Sequence, residues 1–100
     1  MSDQAQRTVL VVEDEEALAV GLRDALLHGG FEATVVGDGV QGLEAVRTQQ
    51  PDLLVLDLML PGMSGLEVLK ALRAEGFRTR VLIVTRSEEH TSELQSHSDL

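Results

Sequence analysis

Leu53-Leu54-Val55-Leu56-Asp57 sets four large aliphatic side chains in a row and ends them on a carboxylate. Two other stretches share that form. Val9-Leu10-Val11-Val12 runs into Glu13-Asp14, and Val81-Leu82-Ile83-Val84 runs into Thr85. Short, β-branched-rich runs of this kind read as buried strands of a parallel sheet. Strands of an open parallel sheet all point one way, so their carboxyl ends share one rim, and ligands bind there. The pattern predicts that three carboxylates and a hydroxyl, far apart in sequence, converge at that rim.

The segments between the runs have helical spacing. Leu18, Leu22, Ala25 and Leu26 predict a helix over Glu15–Leu27 with those residues inward. Asp14 is expected as its N-cap, with Glu15 and Glu16 in the positive first turn, and Gly29-Gly30 as its stop. Glu32–Val36 alternates polar and apolar residues, as an edge strand does. A second helix is expected over Val40–Gln49, with Leu43 and Val46 inward. Leu58–Gly65, with Pro61, Gly62 and Gly65, reads as a loop. A third helix is expected over Leu66–Ala74, burying Leu66, Leu69 and Leu72, and Gly76 ends it. Strand then helix three times, then a strand, marks an α/β fold with a parallel sheet and right-handed crossovers.

One hundred residues allow one small domain. A net charge of −9 argues against this segment gripping nucleic acid or an anionic membrane, and suits a divalent cation or a basic partner. There is no Cys, which fits a reducing, cytoplasmic setting. No apolar run approaches the ~20 residues of a membrane span, and Met1–Gln6 has no signal-type stretch. Residues 1–7 are expected to be a disordered terminus.

Capping and dipole pairing are ordinary roles for Glu13 and Asp14. Asp57 is harder to account for in that way. A carboxylate directly after four apolar strand residues costs desolvation unless it is paired or meets a cation. Three acids at one rim repel, and a hard divalent ion relieves the repulsion. Mg²⁺ prefers oxygen ligands and typically takes one or two carboxylates with waters and phosphate. The rim therefore reads as a Mg²⁺ site beside a place for a phosphoryl group, with Asp57 the plausible nucleophile.

Here the chain resembles the receiver domains of two-component response regulators, through Val9–Asp14 (VLVVED), Pro51–Gly65 (PDLLVLDLMLPGMSG) and Val81–Thr85 (VLIVT). The resemblance covers about Thr8 to Thr85. It implies the flavodoxin-like receiver fold, a doubly wound parallel sheet with strand order 2-1-3-4-5. It implies that Asp57 accepts a phosphoryl group from a phosphohistidine on a sensor histidine kinase. Glu13, Asp14, Asp57 and the Met59 backbone carbonyl would hold Mg²⁺, and Thr85 would hydrogen-bond the phosphoryl oxygen and act as a switch. It implies a phosphoacceptor signalling domain rather than an enzyme. Asp57–Arg73 further resembles receivers joined to winged-helix DNA-binding output domains.

Gly37-Asp38-Gly39-Val40-Gln41-Gly42 is a literal G-x-G-x-x-G between a strand and a helix, with Asp57 about 20 residues on, as in dinucleotide sites. It follows an edge-like strand and leaves Glu13, Asp14 and Thr85 without a role, so a nucleotide-binding enzyme fragment is disfavoured. An aspartate-nucleophile phosphatase usually carries a second Asp two positions on, where Met59 stands. A pseudo-receiver that binds partners without phosphorylation remains as an alternative. His28, His90 and His97 are not expected to be ligands.

The chain departs from the family after Thr85. A complete receiver continues with a fourth helix, a fifth strand and a fifth helix, and an essential Lys follows that strand. Here four strands and three helices are expected, the only lysine is Lys70, and Arg86 stands where a small residue is usual. The fourth strand would then present an apolar edge. Arg86–Ser96 (RSEEHTSELQS) resembles the frame translation of a common sequencing-library adapter. The expected division is a partial receiver over residues 8–85 and a non-native or disordered tail over residues 86–100.

Overall fold

The computed structural model describes residues 7–84. Four strands, β1 (Thr8–Val12), β2 (Glu32–Val36), β3 (Leu53–Asp57) and β4 (Arg80–Val84), alternate with α1 (Glu16–His28), α2 (Gly39–Gln49) and α3 (Gly65–Ala74). All pairings are parallel and the order is β2-β1-β3-β4, as the receiver resemblance implies. Residues 1–6 and 85–100, and with them Thr85 and the expected tail, lie outside the described residues.

Period-two alternation along the strands builds a core on each face of the sheet. Leu10, Val12, Leu54 and Leu56 face α2 and α3, where Leu43, Val46, Val68 and Leu72 close over them. Val9, Val11 and Val55 face the other way, toward Leu22 and Leu26 of α1 and Phe31. The two layers are unequal: nine buried residues form the α2/α3 cluster and three form the α1 cluster.

Local chemistry ends each helix where the sequence supplies it. α1 and α3 close with the same motif. Gly30 and Gly76 take φ of +92° and +91°, and the next amides, of Phe31 and Phe77, donate back to Leu26 and Leu72. Ser64 and Glu67 form a reciprocal capping box at the start of α3. Asp38 caps α2 by accepting from the Gln41 amide at 2.7 Å.

The structure corrects several sequence expectations. The N-cap of α1 is Glu15, without a side-chain cap, not Asp14. Glu13 instead reaches over the turn and accepts from the Glu15 amide at 3.0 Å. Ala25 is exposed and Ala19 is the buried alanine of α1. In α3, Leu66 is 51% exposed and Val68 takes the inward position. The helix starts at Gly65, where a Cβ would collide with the Asp57 carbonyl, so glycine lets α3 begin this close to the end of β3. β4 is not buried on both faces, since Leu82 and Ile83 are 53% and 38% exposed.

The G-x-G-x-x-G stretch has a packing explanation. A Cβ on Gly39 would collide with the Met63 carbonyl, and one on Gly42 would lie 2.8 Å from Val12 Cγ2. The two glycines let α2 approach the β3–α3 loop and β1. Across the same helix pair, Arg47 Nε and Nη2 donate to the two carboxylate oxygens of Glu75 at 2.9 and 2.6 Å.

Two outcomes follow from this packing. Leu72→Ala should cost about 2–5 kcal/mol in urea unfolding, because the cavity opens at the centre of the larger core. The Arg47 guanidinium holds the Glu75 carboxyl below the usual carboxylate range. Its contribution is therefore complete above the unfolded carboxyl's titration and fades as pH falls through the folded one. Glu75→Gln should lower the unfolding midpoint at neutral pH, and the difference from the parent should shrink below about pH 4. A difference that grows on acidification would contradict the assignment.

Candidate functional site

The site is a direct product of strand pairing. Val12 and Leu56 are register partners in the adjacent strands β1 and β3. The residues that follow, Glu13-Asp14 and Asp57, therefore emerge side by side at the carboxyl rim. One oxygen from each of Glu13, Asp14 and Asp57 can be chosen so that all three lie within 4.8 Å of one another. Glu13 and Asp57 are 3% and 1% exposed, whereas Asp14 is open to solvent.

Backbone contacts fix this group. The Glu13 amide donates to the Val36 carbonyl at 3.0 Å, which ties the end of β1 to the end of β2. The Glu13 carboxylate is turned by the Glu15 amide. Asp57 Oδ1 accepts from the Met59 amide at 3.0 Å, so the chain bends back over its own carboxylate directly after β3. The Gly65 amide, bonded to the Leu58 carbonyl at 3.1 Å, closes the loop from its far end.

Three carboxylates at such separations repel by on the order of 3 kcal/mol per pair at an effective dielectric near 20. An all-oxygen donor set of this kind suits a hard divalent cation such as Mg²⁺ and offers nothing soft for zinc or copper. The exposed Asp14 leaves a way in. A cleft of about 280 Å³ opens beside it, bounded by Glu13, Asp14, Ala19, Val20, Arg23 and Val35.

Of the residues expected from sequence, Glu13, Asp14 and Asp57 are brought together. Met59 is tied to the site by its amide, and its side chain is 68% exposed. Thr85 lies outside the described residues; it follows Val84, the register partner of Asp57. Lys70 is exposed on α3. His28 Nδ1 lies 3.2 Å from the Asp24 carbonyl, apart from the acidic group. His90 and His97 are outside the described residues. The Met59 amide and the close approach of Gly65 were missed from sequence. The spacing Asp-x-Met and the Gly after Ser64 were the available signals.

Removing one of three clustered charges should relax the rim. Asp57→Asn is expected to raise the thermal midpoint of the Mg²⁺-free chain and to abolish any rise on adding Mg²⁺. Parallel Mg²⁺ responses in the two proteins would argue against a shared cation site.

Comparison with known proteins places these features. The family model for the response regulator receiver domain matches residues 9–98. The DNA-binding response regulator MtrA of Mycobacterium tuberculosis is 43% identical over 86 residues, which are 86% of this chain and 38% of that protein. The sensory transduction protein RegX3 of Mycolicibacterium smegmatis is 49% identical over 82 residues, covering 82% of this chain and 36% of its own length. The chain thus spans well under half of these relatives. Among solved structures, the receiver domain of the Pseudomonas aeruginosa sensor histidine kinase PA1611 superposes with a TM-score of 0.79 at 26% identity, covering 83% of this chain and 70% of that one. That structure holds a magnesium ion in its active-site cleft.

Proposed function

The chain belongs to the response regulator receiver domain family, and on that footing we propose that Asp57 is its phosphoacceptor, loaded from a sensor histidine kinase. The family is one of signalling domains. The observation that carries the assignment is the meeting of Glu13, Asp14 and Asp57 at one rim. Asp57 is the member that ends the central strand and has its carboxylate oriented by a backbone amide.

In the proposed step a carboxylate oxygen of Asp57 attacks the phosphorus of a phosphohistidine in line. An O–P bond forms, the N–P bond breaks, and the electron pair leaves with the imidazole. Glu13, Asp14 and Asp57, with the Met59 carbonyl, would hold Mg²⁺, which when bound offsets charge on the phosphoryl oxygens. The Met59 amide keeps Asp57 Oδ1 in place. Thr85 is proposed to hydrogen-bond the phosphoryl group. The phosphorylated surface then biases an output, proposed to be a DNA-binding domain in the parent protein, as the name of the MtrA relative suggests. A cytoplasmic setting is part of the same proposal. No helix among the described residues is long and apolar enough to cross a membrane.

A pseudo-receiver reading draws on one observation: the chain's only lysine, Lys70, is exposed on α3 and distant in sequence from every rim residue. We also read the segment from Arg86 as foreign to the domain, on its likeness to an adapter translation. The family match runs on through residue 98 and does not support that reading. An unbroken genomic frame through Leu100 in long-read sequence would refute it.

Incubation with acetyl phosphate and Mg²⁺ tests the function. A hydroxylamine-sensitive acyl phosphate should form, need Mg²⁺, and disappear in Asp57→Asn. A phosphoryl group that persists in Asp57→Asn would refute the assignment.

A further inference from the structure

Four of the chain's eight Lys and Arg residues fall between residues 70 and 80: Lys70, Arg73, Arg78 and Arg80. The one acid in that stretch, Glu75, has both carboxylate oxygens bound by Arg47 of α2. Its charge is matched by Arg47 rather than by its neighbours. A chain of net charge −9 thus has a corner of local positive charge, past the end of α3 and at the start of β4. Strand register places this corner at the opposite end of the sheet from the acids. Arg80 is the partner of Leu53 at the start of β3, and Asp57 is its end.

An open cleft of about 390 Å³ lies in this corner, lined by Arg73, Gly76, Phe77 and Arg78. Arg73 Nη1 donates to the Phe77 carbonyl at 2.9 Å, which orients the guanidinium and leaves its other N–H groups to serve a ligand. Arg78 is exposed and enters none of the ion pairs among the described residues. The carbonyl end of a helix ordinarily disfavours anions. Here the amides of Glu75, Gly76 and Phe77 already occupy the carbonyls of Ala71, Arg73 and Leu72. Gly76 leaves the floor bare, with nothing within 4 Å of where a Cβ would stand.

We propose that this cleft binds a small oxyanion of the phosphate type between the guanidinium groups of Arg73 and Arg78. The planar fork of arginine matches two oxygens of such an anion. Lys70 and Arg80 add to the attracting field. The site is separate from the acidic rim and does not depend on the phosphoacceptor assignment.

Inorganic phosphate, titrated without Mg²⁺ into the isotope-labelled chain at an ionic strength held constant with chloride, tests this. Amide resonances of residues 73–78 should shift and saturate. Arg78→Gln breaks no side-chain hydrogen bond or ion pair seen among the described residues and should weaken binding about tenfold. Shifts that do not saturate, that centre on Glu13 and Asp57, or that survive Arg78→Gln unchanged would overturn the proposal.

Discussion

The parallel pairing of β1 with β3 is the constraint on which the rest depends. Residues 12 and 57 are far apart in sequence, and no local preference joins them. Once Val12 and Leu56 share a register, the acids that follow must leave the sheet together. β2 and β4 then occupy the outer positions, and the helices are left to cover the two faces. A pairing shifted by one residue would turn one strand's inward pair, Leu10 and Val12 or Leu54 and Leu56, to the wrong layer, so the hydrophobic cores hold the acidic group in place.

That arrangement sets stability against function. Two nearly buried carboxylates and a third beside them oppose folding through desolvation and repulsion. Backbone amides of Glu15 and Met59 supply part of the compensation, since hydrogen bonds to a charged acceptor are among the stronger ones. The cores on the two faces of the sheet thus hold the acidic side chains of the rim in place.

Much of this was legible in the chain. Run length and composition sufficed for β1, β3 and β4, alternation sufficed for β2, and the direction of parallel strands sufficed for the convergence of Glu13, Asp14 and Asp57. The rotation of α3 was not legible. Leu66, Leu69 and Leu72 make one plausible stripe and Val68 with Leu72 makes another. Val68 and Leu72 are the buried pair, and Gly65 lets the helix begin close to the Asp57 carbonyl, an approach no helical period contains. The α1 cap was misread for a similar reason. Asp14 has the right side chain for a cap, but the turn offers the Glu15 amide to Glu13 instead. Gly39 and Gly42 had the spacing of a phosphate loop, and only their neighbours, Met63 and Val12, explain them.

The unequal layers have a bearing on motion. Nine buried residues hold α2 and α3 to the sheet, whereas three strand residues, with partly buried side chains, hold α1. Local opening draws on the least buried contacts first. α1 is thus covered by the smaller of the two buried cores. Glu13 and Asp14 precede α1 directly, while Asp57 ends β3. The acidic group thus straddles the join between the start of α1 and the sheet. A ligand that bridges it would act as a staple, slowing the escape of α1 and protecting its amides from exchange.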